Sequence, residues 1–124
     1  ILRRQRPSCL QANSRDTAAL SACPALPVLY VYDSYHNPAS AWGRLLCEKE
    51  ADTVRGTAWD ALMISTLLTK QDEDLVIHGC FDGAYSYFAS DGFTYGSTSA
   101  NFGRIASWAE KNDKIFYTIR RAWL

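Results

Sequence analysis

Thr57–Lys70 reads TAWDALMISTLLTK, and the fold turns on what this stretch becomes. Trp59, Leu62, Met63, Leu67 and Leu68 recur at helical spacing and draw an apolar stripe. The stretch therefore predicts the strongest helix of the chain, with its stripe against a core. Just downstream, Asp72–Cys80 (DEDLVIHGC) reads as a short strand or turn closing at Gly79. Gly83–Ser99 alternates aromatic and small residues, as a hairpin turning at Asp91-Gly92 would. Ser99–Asn112 predicts a second amphipathic helix, capped by Ser99, with Phe102, Ile105, Ala106 and Ala109 on one face. Lys114–Leu124 ends the chain as a strand.

Upstream, Pro27–Ser34 (PVLYVYDS) reads as a strand opened by a proline. Asn37–Ala51 reads as a helix, with Asn37 as its cap and Pro38 at its first position. Residues 1–27 are polar and interrupted by Pro7, Pro24 and Pro27, which suggests an arm with one short helix over Arg15–Ala22. A single domain then spans 28–124. The resulting order, β-α-α-β-β-α-β, predicts an α+β architecture with two to three helices.

The 124 residues suffice for one domain with a real core. Thirteen basic residues balance thirteen acidic ones, so no overall field draws the chain to nucleic acid or to an anionic membrane. No run reaches the ~20 apolar residues of a membrane span. Cys9, Cys23, Cys47 and Cys80 show neither CxxC spacing nor a nearby histidine pair, which argues against a metal site. They suit two disulfides in a secreted domain, and the absence of an initiator Met suggests a mature chain whose leader has been removed. Three pairings are possible. Cys9–Cys23 with Cys47–Cys80 is preferred.

Candidate chemistry is sparse. His36 and His78, as general acid and base, could serve a small ribonuclease-like hydrolase, with Arg44, Arg55 or Arg104 on phosphate. No nucleophile elbow and no glycine-rich phosphate loop is present. The paired acids Glu48/Glu50 and Asp72–Asp74 read as solvated loops. Tyr85, Tyr87, Phe88, Phe93 and Tyr95 crowd the expected hairpin and form a candidate protein-contact surface.

The order of several short pieces resembles the front half of the enterotoxin- and pertussis-type mono-ADP-ribosyltransferases. These are LYVYDS (Leu29–Ser34), DLVIHG (Asp74–Gly79), YGSTS (Tyr95–Ser99), a helix, and IFYTIRR (Ile115–Arg121). The resemblance implies a disulfide-stabilised, ADP-ribosyltransferase-like mixed sheet, with a pocket formed by Tyr30, Asp33, His78, Ser97, Thr98 and Ser99. It also implies an impaired enzyme. Val31 stands where the family grips NAD with arginine, and no later strand carries the catalytic glutamate. The expected function is thus that of a secreted effector or toxin-type protein, catalytically inactive and without a cofactor, that binds a host or target protein. Such an effector could also be delivered into a host cell. NAD would enter only if the chain were a fragment of an active transferase.

Overall fold

In the computed structural model, which describes residues 26–87 and 90–118, strands and helices alternate without a break. β1 (Val28–Val31) leads to α1 (Ala39–Leu46), β2 (Leu62–Leu67) to α2 (Asp72–His78), and β3 (Gly83–Ser86) to α3 (Phe102–Lys111). β4 (Ile115–Thr118) comes last. The expected arm falls almost wholly outside the described residues, and Cys9 and Cys23 with it.

The two middle elements are the reverse of those the sequence pattern predicts. The expected helix over Thr57–Lys70 holds β2, and the expected short strand or turn over Asp72–Cys80 holds α2. β2 has a paired neighbour on each side, and all of its residues except Met63 are buried. A strand covered on both faces takes apolar and small side chains at successive positions, so it loses the two-residue alternation that would betray it. Trp59, counted in the expected stripe, precedes the strand and is 81% exposed.

α2 opens with Asp72, Glu73 and Asp74 beside the positive end of the helix. Asp72 Oδ2 accepts the Leu68 and Thr69 N–H groups, each at 2.8 Å, and so fixes the approach to the first turn. At Gly79 a Cβ would lie 2.6 Å from the Leu75 carbonyl oxygen and 3.2 Å from Trp42 Cβ. Only glycine lets α2 end against α1.

Among the described residues no hairpin forms at Asp91-Gly92. β3 stops at Ser86 and pairs in parallel with β2 on one side and β4 on the other. β1 also pairs in parallel with β2, so the sheet is parallel throughout, in the order β1-β2-β3-β4. The mixed α+β sheet expected from the sequence is corrected to an alternating β/α chain. Its strand order never reverses, unlike that of a doubly wound fold, and this is the winding of a (β/α) barrel.

Curvature points the same way. β1 and β4 are three strand spacings apart, about 14 Å if the sheet were flat. Yet the Tyr30 and Tyr117 ring centroids, one from each, are 6.0 Å apart. The sheet curls toward the face that carries them, as a barrel wall does toward its lumen.

The two faces divide the apolar residues. On the helix side, Leu67 and Ala84 pack with Leu46, Val76, Phe81 and Ile105, all buried. Trp42 meets the Phe81 ring edge-on at 5.0 Å. Each of the larger side chains contributes about 1.5–3 kcal/mol through burial. The concave face carries Tyr30, Ile64, Thr66, Tyr85 and Tyr117, and the Tyr30 and Tyr85 rings meet over β2 at 5.4 Å.

Candidate functional site

All four strands end at one edge of the sheet, where barrel enzymes carry their chemistry. The chain leaves β1 there through a tightly held turn. Asp33 adopts a left-handed φ of 51°, a conformation that costs a non-glycine residue of order 1 kcal/mol. Its N–H donates to Thr66 Oγ1 at 3.1 Å. The Thr66 hydroxyl donates to the Val31 carbonyl at 2.7 Å and lies 3.0 Å from the Tyr85 hydroxyl. Ser34 is buried, 2.7 Å from the Ser65 hydroxyl, and accepts the Thr66 N–H at 3.1 Å. The Trp42 indole N–H donates to the Ser34 carbonyl at 2.8 Å. Contacts from β2 and α1 thus hold the turn and offset its strain.

What the turn displays is polar and aromatic. Asp33 Oδ1 accepts the Tyr35 hydroxyl at 2.8 Å, and Oδ2 lies 3.7 Å from His36 Nε2. Tyr32 and Tyr87 reach the same edge from β1 and β3, their rings 5.6 Å apart and inclined at 74°. The Asp33 charge is the main cause that raises the Tyr32 phenol above its ordinary value of 10.0. The hydrogen bond to Asp33 is the main cause for Tyr35. Both phenols therefore stay protonated, and able to donate, at any physiological pH.

A second loop, Ser90–Thr98, closes over the same edge. The Gly96 N–H donates to the Leu68 carbonyl at 3.0 Å, and a Cβ at Gly96 would run into the Leu67 carbonyl. Thr94 and the buried Ser97 bond each other through N–H and hydroxyl groups. Asp91 accepts the Ser99 N–H at 2.8 Å and its hydroxyl at 2.7 Å. Those two bonds, the backbone one first, hold the Asp91 carboxyl below the usual carboxylate range. Ser99, the expected cap, makes no side-chain cap of its own; its hydroxyl is given to Asp91.

The opposite edge is a buried ion cluster. The Arg55 Nε donates to the Leu46 carbonyl at 2.7 Å, Nη1 to Asp60 and the Ala61 carbonyl, and Nη2 to the Cys80 carbonyl at 2.9 Å. Asp82 Oδ2 is 3.2 Å from Nη2 and accepts the Met63 N–H. Side-chain exposure is 3% for Arg55 and 6% for Asp60. Cys47 and Cys80 are bonded, with Cα atoms 5.2 Å apart, and tie the ends of α1 and α2 to this cluster.

The sequence candidates scatter over this frame. His36 is on the strand-end edge, whereas His78 ends α2, which runs back to the opposite edge, so the two do not share a cleft. Arg55 is consumed in the buried cluster and Arg44 pairs with exposed Asp52 at 2.8 Å. Tyr30, Asp33 and Ser97–Ser99 lie toward one edge, but His78 lies away from them and Ser97 is committed to Thr94. Of the aromatic set, Tyr85 is buried, Tyr87 and Phe93 are exposed, the Tyr95 hydroxyl donates to Glu73, and Phe88 lies outside the described residues. Tyr32, Tyr35 and Thr66 escaped the sequence reading. The signal was the tyrosine-rich run just past a strand. Among the described residues, no group of three or more His, Cys, Asp or Glu could hold a metal, and no helix is long and apolar enough to cross a membrane.

The family model for glycosyl hydrolase family 99 matches residues 9–119. The chain belongs to glycosyl hydrolase family 99. It is 40% identical over 92 residues to the glycoprotein endo-alpha-1,2-mannosidase of Rattus norvegicus, covering 74% of this chain and 20% of that protein. It is 38% identical over 91 residues to the glycoprotein endo-alpha-1,2-mannosidase-like protein of Danio rerio, covering 73% and 21%. Among solved structures, the GH99 endo-alpha-mannosidase from Bacteroides thetaiotaomicron superposes with a TM-score of 0.72 at 34% identity. That match covers 75% of this chain and 27% of the other. The family 99 chain thus spans about a fifth of the length of the curated relatives it matches.

The family membership overturns the ADP-ribosyltransferase resemblance, and with it the effector, toxin and pseudo-ADP-ribosyltransferase expectations. The ribonuclease alternative has no support either. YGSTS misled because short pieces in a shared order can arise from different folds: here the segment is a self-bonded loop between a parallel strand and its helix.

Proposed function

We propose that this chain forms part of the substrate-binding wall of an endo-α-mannosidase, a glycoside hydrolase that cuts an internal α-mannosidic bond. The observation that carries the reading is the strand-end edge, where Asp33 is held beside the exposed Tyr32 and Tyr35, with Tyr87 against Tyr32. A sugar ring presents C–H faces and a fringe of hydroxyls. Aromatic faces take the first, and a carboxylate with neutral phenols takes the second. Glycoside hydrolysis further needs two carboxylates flanking the scissile bond. Asp33 is assigned to hydroxyl binding: Oδ1 accepts the Tyr35 hydroxyl, and Oδ2, 3.7 Å from His36 Nε2, faces the open side of the turn. The relatives named as mannosidases, and the concave sheet that winds as their family does, support the reading. The Cys47–Cys80 bond supports an oxidising, extracellular or secretory location.

The test is to incubate the intact protein with an α-1,2-linked mannose oligosaccharide and follow both binding by calorimetry and release of new reducing ends. Binding that Asp33→Asn weakens at least about tenfold supports the proposal. A folded protein that neither binds nor cleaves sinks it.

A further inference from the structure

Among the described residues, Phe93 is the most exposed large apolar side chain on the strand-end side, at 69%. It is not loose. Its N–H donates to the Ser90 carbonyl at 3.3 Å, and the Gly92 N–H, at a φ of 83°, donates to the Ser97 carbonyl at 3.3 Å. On its other side the Thr94 N–H donates to Ser97 Oγ at 2.7 Å. Asp91 is clamped to Ser99, and Gly96 seats the loop on the backbone just past β2. A phenyl ring in water is unfavourable, and a backbone fixed on both sides of it denies the ring an escape into the core. The loop is therefore built to present an aromatic face, with its ordering cost already met before a ligand arrives.

Position selects the ligand. Ser90–Thr98 falls between β3 and α3 in the chain and bonds to Leu68, just past the end of β2, so Phe93 stands on the same rim as Asp33, Tyr32 and Tyr87. Those residues occupy the wall, whereas Phe93 projects from the loop that borders it. We infer that Phe93 is a stacking platform for a distal sugar of an extended α-mannoside, and so selects oligosaccharides over disaccharides. This rests on the mannoside-binding reading of the same edge. Trp59 is still more exposed, at 81%, but precedes β2 and so lies at the far edge, away from such a chain.

The experiment titrates the intact protein and its Phe93→Ala variant with α-1,2-mannobiose and with a linear α-1,2-linked mannotetraose. The expected result is a loss of roughly 3–10-fold in tetraose affinity, a change of less than about twofold for the biose, and an unchanged melting temperature. Phe93→Trp should keep the tetraose affinity. If the wild type binds both sugars and Phe93→Ala binds them equally well, the inference fails and the mannoside reading stands. Equal losses for the two sugars also overturn it, because the ring would then touch the proximal sugar. If the wild type binds neither, the mannoside reading falls and this inference with it.

Discussion

The two edges of the sheet are both rich in charge and hydrogen bonds, yet they are built in opposite ways. At the edge where strands begin, Arg55, Asp60 and Asp82 are buried or nearly so, and the five N–H groups of the guanidinium meet five oxygens. At the edge where strands end, Asp33 and His36 are partly or largely open and a strained backbone holds them in place. A fully matched buried ion stabilises one arrangement and has no capacity left for a ligand. A half-open carboxylate in a strained turn contributes little to folding and keeps its capacity to bind. The difference divides the molecule into an edge that holds the fold and an edge left open to a ligand.

The largest expected effect breaks the first edge. Arg55→Ala strands two carboxylates and three carbonyls, and should cost about 3–5 kcal/mol in a denaturant melt. A cost below about 1 kcal/mol would mean that water takes over the guanidinium's role. Next comes the crosslink. Cys47 and Cys80 are 33 residues apart, and the paired Cys47→Ser, Cys80→Ser variant should lose about 3–4 kcal/mol by the chain-entropy model. A loss that leaves the near-UV dichroism of the aromatic residues unchanged would show that the crosslink acts on the unfolded chain alone.

Smaller effects sharpen the second edge. Asp33→Asn should alter stability by less than about 1 kcal/mol. In a spectrophotometric alkaline titration it should also bring the Tyr32 and Tyr35 phenols down toward their ordinary value, since Asp33 is the leading cause of both shifts. In the wild type, because the folded phenol values are raised, the associated stability is complete below pH 10 and is lost as pH climbs through the shifted values. The smallest effect is at Asp91, whose folded value is lowered. Its contribution is present above the ordinary carboxylate range and is lost as pH falls through the lowered value. Asp91→Asn should therefore flatten the acid limb of the stability profile slightly, and an unchanged limb would show that the Ser99 clamp is mechanically silent.

How much of this was legible follows the same division. PVLYVYDS, NPASAWGRLL, NFGRIASWAEK and KIFYT carry their elements in plain patterns, and the structure has strand, helix, helix and strand there. Thr57–Cys80 does not. Burial on both faces erased the alternation of β2, and seven residues gave α2 too little length to show a helical period. Exchanging those two elements is enough to turn an alternating parallel chain into an apparent α+β order. At the site, Asp33, Tyr87 and Phe93 stand out in the sequence as polar or aromatic residues beside turns. Their common edge does not, because it depends on the parallel register. Arg55 looks like a surface phosphate ligand in the sequence because only the fold closes its cluster, bringing Cys80 and Asp82 from the far end of α2 to the nearby Leu46, Asp60 and Ala61.

The division of the edges is tested most directly by calorimetric titration of Asp33→Asn with a linear α-1,2-linked mannose oligosaccharide, beside the wild type and with melting temperatures matched. Wild-type binding is expected, with at least about a tenfold weaker Kd in the variant, at a melting temperature within a degree or two. Undiminished binding by the variant, or a folded wild type that binds no mannoside, would contradict that division.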